Sequence, residues 1–376
     1  MNKKIKLWGL VVILVIALVA LVVYFPKGAS AETIKIGFIA PLTGDVAAIG
    51  QSTKNAVQLA ADEINAAGGI NGNPVEIIYE DGVCNGKDAS NAANKLINVD
   101  NVNYIIGGLC SSETLGVAPL AESSQTLLLS MCSSSPDVTN AGDFVFRNYP
   151  SDSFQGKFAA EFAYNELGAR RVAVLSCLSD YCVGIRDVFS KRFKELGGEI
   201  VEDQVFEQTS SDLKTQLTKA KESNPDLIYI ASYTESAING LKQAKELDIN
   251  VQILGVEAWA DPTIWENTIG FNDGVIFTSP DLEAQTPTYF KQRYAQKYGG
   301  GSEITLCAPQ GYDAVYVLKN AIETVGEDDP IKVKNALYSL EGFEGVTGPI
   351  SFDSNGDIIG ANYVVMVVEN GKPVKR

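Results

Sequence analysis

The stretch Gly107-Gly108-Leu109-Cys110-Ser111-Ser112-Glu113-Thr114 decides how this chain is read. Just before it, Tyr104-Ile105-Ile106 is an uninterrupted apolar run, which reads as a buried parallel strand. After it, Leu115 to Glu122 carries apolar residues at helical spacing, opened by the cap-type residues Ser111 and Ser112. Strand, glycine turn and serine-opened helix together bring backbone N–H groups and hydroxyls to a helix N-terminus. Unpaired donors and the helix dipole favour negative charge there, so the turn is a candidate seat for a small carboxylate or phosphate. Taken alone, the two serines are adequately explained as helix caps. The case for a site rests on the units around them.

Those units repeat. On the N-terminal side, a strand over residues 33–40 leads through Pro41-Leu42-Thr43-Gly44-Asp45 into a helix over 50–65, with Ala56, Val57, Leu59, Ala60 and Ile64 on one side. Gly68-Gly69-Ile70-Asn71-Gly72 turns the chain into a strand over 75–80, and a helix over 88–98 follows. On the C-terminal side, Leu127-Leu128-Leu129-Ser130 is another buried strand, ending in Ser133-Ser134-Ser135. Beyond residues 144–147 the rhythm restarts. Helices are expected over 154–167, 184–196, 213–221 and 237–247, alternating with strands over 171–175, 199–204, 227–230, 252–255 and 274–278. Three further helices (288–298, 310–325, 331–340) and a β tail (350–352, 363–368 and an Asn370-Gly371 turn) close the chain. β-α units with short connections require parallel, helix-covered sheets. The expected fold class is α/β, with two doubly wound, Rossmann-like lobes built from discontinuous segments and joined by a multi-strand hinge. Residues 32–147 and 279–360 are assigned to lobe 1, and residues 148–278 and 361–376 to lobe 2.

In open parallel sheets, ligands bind outside the carboxyl ends of the strands. That edge holds loops 41–50, 110–114, 131–136, 176–183, 231–236 and 256–262. The first three offer neutral hydroxyls beside helix starts, from Thr43, Ser111, Ser112, Ser133 and Ser134. The others offer Tyr181, Tyr233, Glu257 and Trp259, a carboxylate among aromatic faces. Hydroxyls and N–H groups suit a carboxylate, and an acid among rings suits an ammonium. Together they describe a zwitterion held between two lobes.

Composition narrows the function. The 376 residues suffice for two domains. Residues 1–31 stand apart: Lys3, Lys4 and Lys6 precede an uncharged run over 7–25, and Ala29-Ser30-Ala31 is a small-residue cleavage pattern. This is either a secretory signal or an uncleaved membrane anchor, with Trp8 and Tyr24 near its ends. Either way, residues 32–376 work outside the cytoplasm, in the periplasm or on the outer face of the membrane. Without the first 31 residues, 46 acids face 26 basic residues. Such acidity argues against nucleic acid or anionic lipid as a partner. The absence of histidine excludes a Ser-His-Asp or Cys-His centre and a His-ligated metal. Six cysteines in an exported chain point to disulfides, Cys177 and Cys182 being close enough to close a local loop. Without paired C-x-x-C knuckles, no metal site is expected. No cofactor is called for.

From about residue 33 to its end, the chain resembles the leucine/isoleucine/valine-binding family, the two-lobed substrate-binding proteins of ABC importers (periplasmic-binding-protein type I). The resemblance rests on Ile36-Gly37-Phe38-Ile39-Ala40-Pro41-Leu42-Thr43-Gly44, on Asp62-Glu63-Ile64-Asn65-Ala66-Ala67-Gly68-Gly69-Ile70-Asn71-Gly72 and on Gly348-Pro349-Ile350-Ser351-Phe352-Asp353-Ser354-Asn355-Gly356-Asp357. It implies that Ser111 and Ser134 bind a ligand carboxylate, that Glu257 with Tyr233 takes the α-ammonium, and that Tyr181 walls the pocket. Ile49 stands where an aromatic residue is often found, so the side-chain pocket is expected to differ. Trp259, Cys132 and Cys307 are further pocket candidates. The resemblance pairs Cys84 with Cys110, and a rough alignment places Cys132 and Cys307 together near the ligand.

The implied function is capture of a neutral, branched-chain amino acid by hinge closure, and delivery to an ABC permease by a monomeric protein. If the span over 7–25 is uncleaved, the membrane is a further partner. The alternative is an extracytoplasmic sensing module for an amide or another amino acid. An enzyme is not expected: Ser111 has no ordinary base, and Cys177 and Cys182 are not a C-x-x-C pair.

Overall fold

The computed structural model describes residues 32–281, 286–301 and 303–376. The expected N-terminal signal or anchor lies outside them. Among the described residues, no helix is long and apolar enough to cross a membrane.

The first lobe is built on β1 (Ile34–Ala40), α1 (Ala47–Ala66), β2 (Val75–Asp81), α2 (Gly86–Asn98), β3 (Tyr104–Ile106), α3 (Ser111–Ser124), β4 (Leu127–Ser130) and β5 (Val145–Arg147). The strands lie in the order β2-β1-β3-β4-β5, and every neighbouring pair is parallel. Parallel sheets are covered on both faces, which is why β3 and β4 read as continuous apolar runs. On one face Leu128 and Ile105 meet Leu96, Val117 and Ala121 of α2 and α3. On the other, Ile106 and Leu129 join Val57, Ala60 and Leu318.

The second lobe takes α4 (Asp152–Glu161), β6 (Arg171–Cys177), α5 (Asp180–Glu195), β7 (Glu199–Phe206), α6 (Lys214–Glu222), β8 (Leu227–Ala231), α7 (Thr234–Glu246), β9 (Gln252–Gly255), α8 (Pro262–Asn267) and β10 (Ile276–Pro280). The chain then returns through α9 (Thr288–Tyr298), α10 (Ala308–Val325), α11 (Pro330–Tyr338) and the hairpin β11 (Phe343–Gly345) with β12 (Gly348–Ile350). Helices α9 and α10 pack on α1, so this late segment completes the first lobe. Strands β13 (Tyr363–Glu369) and β14 (Lys372–Lys375) go back to the second sheet, whose order is β14-β13-β10-β9-β8-β6-β7. The two last strands are its antiparallel edge. The architecture is therefore α/β with two doubly wound lobes.

Three segments cross between the lobes, after β5, after β10 and before β13. They are tied to each other. Arg147 N donates to Gly356 O (2.9 Å), Ile358 N donates to Arg147 O (3.1 Å), and Asp281 N donates to Asn362 O (2.9 Å).

Several boundaries differ from those read in sequence. The helix expected over 154–167 is α-helical to Glu161 and continues as a π turn over Phe162–Glu166. The strand expected at 274–278 is displaced to Ile276–Pro280, because Gly274 has a positive φ of 84°, outside the strand region. Strand β5 and the β11 hairpin arm, three residues each, are too short to show a period in sequence.

Candidate functional site

The Gly107–Thr114 stretch forms the strand–turn–helix unit read in the sequence, with its cap one residue earlier: Cys110 is the N-cap and Ser111 the first helical residue. Gly108 is required sterically, since a Cβ there would stand 2.2 Å from Cβ of Glu113. Glu113 turns back beneath the turn, fully buried, and accepts from the backbone N–H of Leu109 (2.9 Å), Cys110 (2.9 Å) and Cys84 (3.0 Å). Burial pushes its carboxyl up to about 7, against the pull of those three donors. The turn thus carries an internal acid, while the amides of Ser111 and Ser112 have no partner within the helix.

Above this turn a small cavity lies between the lobes. Ser111, Leu109, Val46, Ile49, Cys132 and Ser134 line it from the first lobe, and Leu306 from the returning segment. Tyr181, Tyr233, Glu257 and Ala258 line it from the second, with Tyr149 from the first crossing. Ser111 Oγ accepts from Ser135 N (3.1 Å), which fixes the 131–136 loop against the start of α3. Ser133 is used within that scaffold, bonding Thr114 Oγ1 (2.6 Å) and Gly108 O (3.1 Å).

Glu257 follows β9 at the start of a 3₁₀ turn and is only 3% exposed. Its Oε1 accepts from Ser134 Oγ at 3.3 Å, a bond between the lobes, while Oε2 has no hydrogen-bond partner among the described residues. Burial pushes the carboxyl up to about 7, offset in part by its own backbone N–H and by the nearby Tyr181, Gln155 and Ser134 side chains. The rings of Tyr181 and Tyr233 lie 5.2 Å apart beside it, and the Tyr181 hydroxyl is buried with no hydrogen-bond partner within bonding distance among the described residues. Unpaired buried acceptors of this kind are costly unless something donates to them. The cavity therefore presents helix-start donors and a hydroxyl at Ser111, an unneutralised carboxylate at Glu257, and apolar walls from Val46, Ile49, Leu109 and Leu306.

The lobes are also joined outside the cavity. Asp45 Oδ1 accepts from Glu235 N at the start of α7 (2.8 Å), and Ser112 Oγ accepts from Asp180 N at the start of α5 (3.4 Å). Each bond gives a second-lobe helix start a partner from the first lobe.

The sequence candidates Ser111, Ser134, Tyr181, Tyr233, Glu257, Ile49 and Cys132 thus meet at one cavity, with Ser134 placed against Glu257. Trp259 and Cys307 do not line it. Trp259 is fully buried, its Nε1 donating to Ser232 Oγ (3.0 Å), and Cys307 lies behind Cys132 in a disulfide. Thr43 lies elsewhere, donating to Asp81 Oδ2 (2.5 Å). The disulfides are Cys84–Cys110, Cys132–Cys307 and Cys177–Cys182, with Cα atoms 5.3, 5.5 and 5.4 Å apart. Sequence reasoning missed Val46, Leu109, Tyr149, Ala258 and Leu306, which are apolar or aromatic residues indistinguishable from core until the two lobes meet. Among the described residues, no group of acidic or thiol side chains is arranged to hold a metal ion.

A lobed α/β protein with this cavity has known relatives. The family described as periplasmic binding protein matches residues 33–372. The chain belongs to this family. It is a family of solute-binding proteins rather than enzymes, and the chain is similar to its members over nearly its whole length. The leucine-, isoleucine-, valine-, threonine- and alanine-binding protein of Pseudomonas aeruginosa is 29% identical, over 89% of this chain and 90% of that protein. Among solved structures, a leucine-binding protein, LivK, from Thermotoga maritima has 33% identity and a TM-score of 0.85, covering 91% of this chain and 97% of its own. The branched-chain amino acid transporter substrate-binding protein LivJ from Streptococcus pneumoniae, in complex with isoleucine, has 30% identity and a TM-score of 0.82, covering 92% and 100%.

Proposed function

We propose that this protein captures a neutral aliphatic amino acid, with branched-chain side chains preferred, outside the cytoplasm and delivers it to an ABC permease. The observation that carries this reading is Glu257: a buried carboxylate facing a cavity with one oxygen unpaired, across from a helix start bearing Ser111. An α-ammonium supplies the charge that Glu257 lacks, and a carboxylate suits the Ser111 and Ser112 amides. Ser134, bonded to Glu257 Oε1, sits at the ammonium side in this arrangement. The side-chain end is walled by Val46, Ile49, Leu109 and Leu306, which match a short branched hydrocarbon. The names of the relatives support the same ligand class.

In the proposed cycle the lobes close on the ligand by bending the three crossing segments, and the Asp45–Glu235 and Ser112–Asp180 bonds hold the closed form. Residues 1–31 direct export or anchor the chain; the permease, rather than a signalling partner, receives the closed form. The test is equilibrium dialysis of labelled leucine against the native chain and Glu257→Ala. Loss of at least 100-fold in affinity, roughly the 3 kcal/mol or more of an unpaired buried charge, supports the role of Glu257. Equal binding by the two proteins rejects it.

A further inference from the structure

Glu257 is not the only buried acid at this site. Asp152, the first residue of α4, is 0% exposed, and among the described residues neither of its carboxyl oxygens has a hydrogen-bond partner within bonding distance. Its own N–H donates to Ser134 O at 2.7 Å, and the hydroxyl of the same Ser134 donates to Glu257 Oε1. Ser134 therefore touches both acidic residues, through its carbonyl oxygen to the Asp152 N–H and through its hydroxyl to the Glu257 carboxyl. Asp152 itself does not line the cavity.

The charged and titratable neighbours leave this acid pair uncompensated. Around it stand Tyr149, Tyr181, Tyr229, Tyr233 and Tyr363, all ordinarily neutral, together with Arg147. Arg147 is committed to Asp357, which its Nε and Nη2 bond at 2.6 and 2.8 Å. Two buried carboxylates that repel each other, with no free cation beside them among the described residues, do not both stay ionised.

We propose that Asp152 is a positioning residue that sets the charge state of Glu257, so that the acid pair keeps a proton in the ligand-free protein and releases it when a ligand ammonium arrives. Binding then exchanges H⁺ for R–NH₃⁺, and the buried charge is conserved. The proton leaves the Asp152–Glu257 pair for solvent; no bond to the ligand is made or broken. The same device discriminates by charge. A carboxylate without an ammonium leaves the pair protonated and gains nothing from Glu257. The direction of the titration shifts agrees: burial and Glu257 hold Asp152 well above the usual carboxylate range, with Ser134 and Arg147 offsetting this only in part. Burial places Glu257 at about 7. An ammonium lowers that value, so affinity should rise with pH through neutrality and weaken below it.

This inference rests on the amino-acid reading above, and its test separates the two. The full chain is titrated calorimetrically with leucine at pH 7 in phosphate and in Tris, whose ionisation enthalpies differ. A heat difference corresponding to net proton release supports the proposal; buffer-independent heats overturn it. Asp152→Asn should shift the pH midpoint of leucine affinity downward by a unit or so and shrink the proton count, an effect that simple loss of packing would not produce. An unchanged midpoint in a folded Asp152→Asn protein also overturns it. If leucine gives no heat in either buffer, the ligand assignment has failed, and the pair is tested in the ligand-free chain by infrared spectroscopy. A protonated-carboxyl band at pH 6 that is lost in Asp152→Asn supports the paired proton, and its absence from the native chain rejects it.

Discussion

Arg147 ties the crossing segments between the lobes together, and Asp357→Ala tests this. The Arg147 side chain is 0% exposed, and its guanidinium donates to Asp357 Oδ1 (2.6 Å) and Oδ2 (2.8 Å), Thr139 Oγ1 (2.7 Å), Ser135 O (2.8 Å) and Ser133 O (3.4 Å). It thereby fixes the loop carrying Ser134 to the segment that runs back to the second lobe. Removing Asp357 leaves a buried cation with only neutral acceptors, which costs about 3–5 kcal/mol. For a protein of this size that corresponds to a fall in Tm of about 4–7 °C. Differential scanning calorimetry at neutral pH measures it, and leucine affinity should fall as well, because Ser133 and Ser135 flank the residue bonded to Glu257. Asp357→Asn keeps one acceptor and should lose roughly half as much. Arg147→Met combined with Asp357→Ala should cost less than the sum of the single changes, since no charge is then left unpaired. A Tm for Asp357→Ala within about 2 °C of native would refute the reasoning, as the pair would then be acting like an exposed one.

Two further outcomes are expected from the glycine turn. Glu113→Gln keeps one carbonyl oxygen but turns an amide N–H₂ toward backbone donors that now share two carboxylate oxygens, costing about 2–3 kcal/mol in urea unfolding; a loss under about 0.5 kcal/mol would show that the turn does not need the acid. Replacing Cys84 and Cys110 together by serine opens a loop with a sequence separation of 26 and should cost about 3–4 kcal/mol by the loop-entropy relation. Peptide mapping without reductant should recover Cys84–Cys110, Cys132–Cys307 and Cys177–Cys182, and free thiols at any pair would contradict that pairing.

The fold was legible because parallel strands leave a strong local signal. The runs Tyr104-Ile105-Ile106 and Leu127-Leu128-Leu129 are apolar throughout, since both faces of their sheet are covered. The edge of that sheet was not legible: β5 pairs with β4 over three residues, and its place is set by Arg147 reaching Asp357 at a separation of 210. The polar part of the cavity was visible as hydroxyls and one acid in the loops at the strand ends. Its apolar wall was not, because Val46 and Leu306 look like core residues until the lobes face each other. Trp259 illustrates the opposite error. It sits in the right loop, but its ring fills the space left by Gly255, where a Cβ would come within 2.2 Å of it. Asp152 escaped notice for a different reason: it reads as an ordinary acid in the first turn of a helix, following the Ser151 cap. Only three-dimensional proximity to Glu257 gives it another meaning.

What the cavity binds reports most directly on the chemistry of Ser111 and Glu257. Isothermal titration of the full chain against leucine, isoleucine, valine, alanine, phenylalanine, leucinamide and benzoate measures it. The zwitterion site predicts tight binding of the branched-chain amino acids, weaker binding of alanine and phenylalanine, and none of leucinamide or benzoate, each of which lacks one of the two charges. Equal binding of benzoate and leucine, or binding of leucinamide alone, would contradict the pairing of Ser111 with a carboxylate and Glu257 with an ammonium.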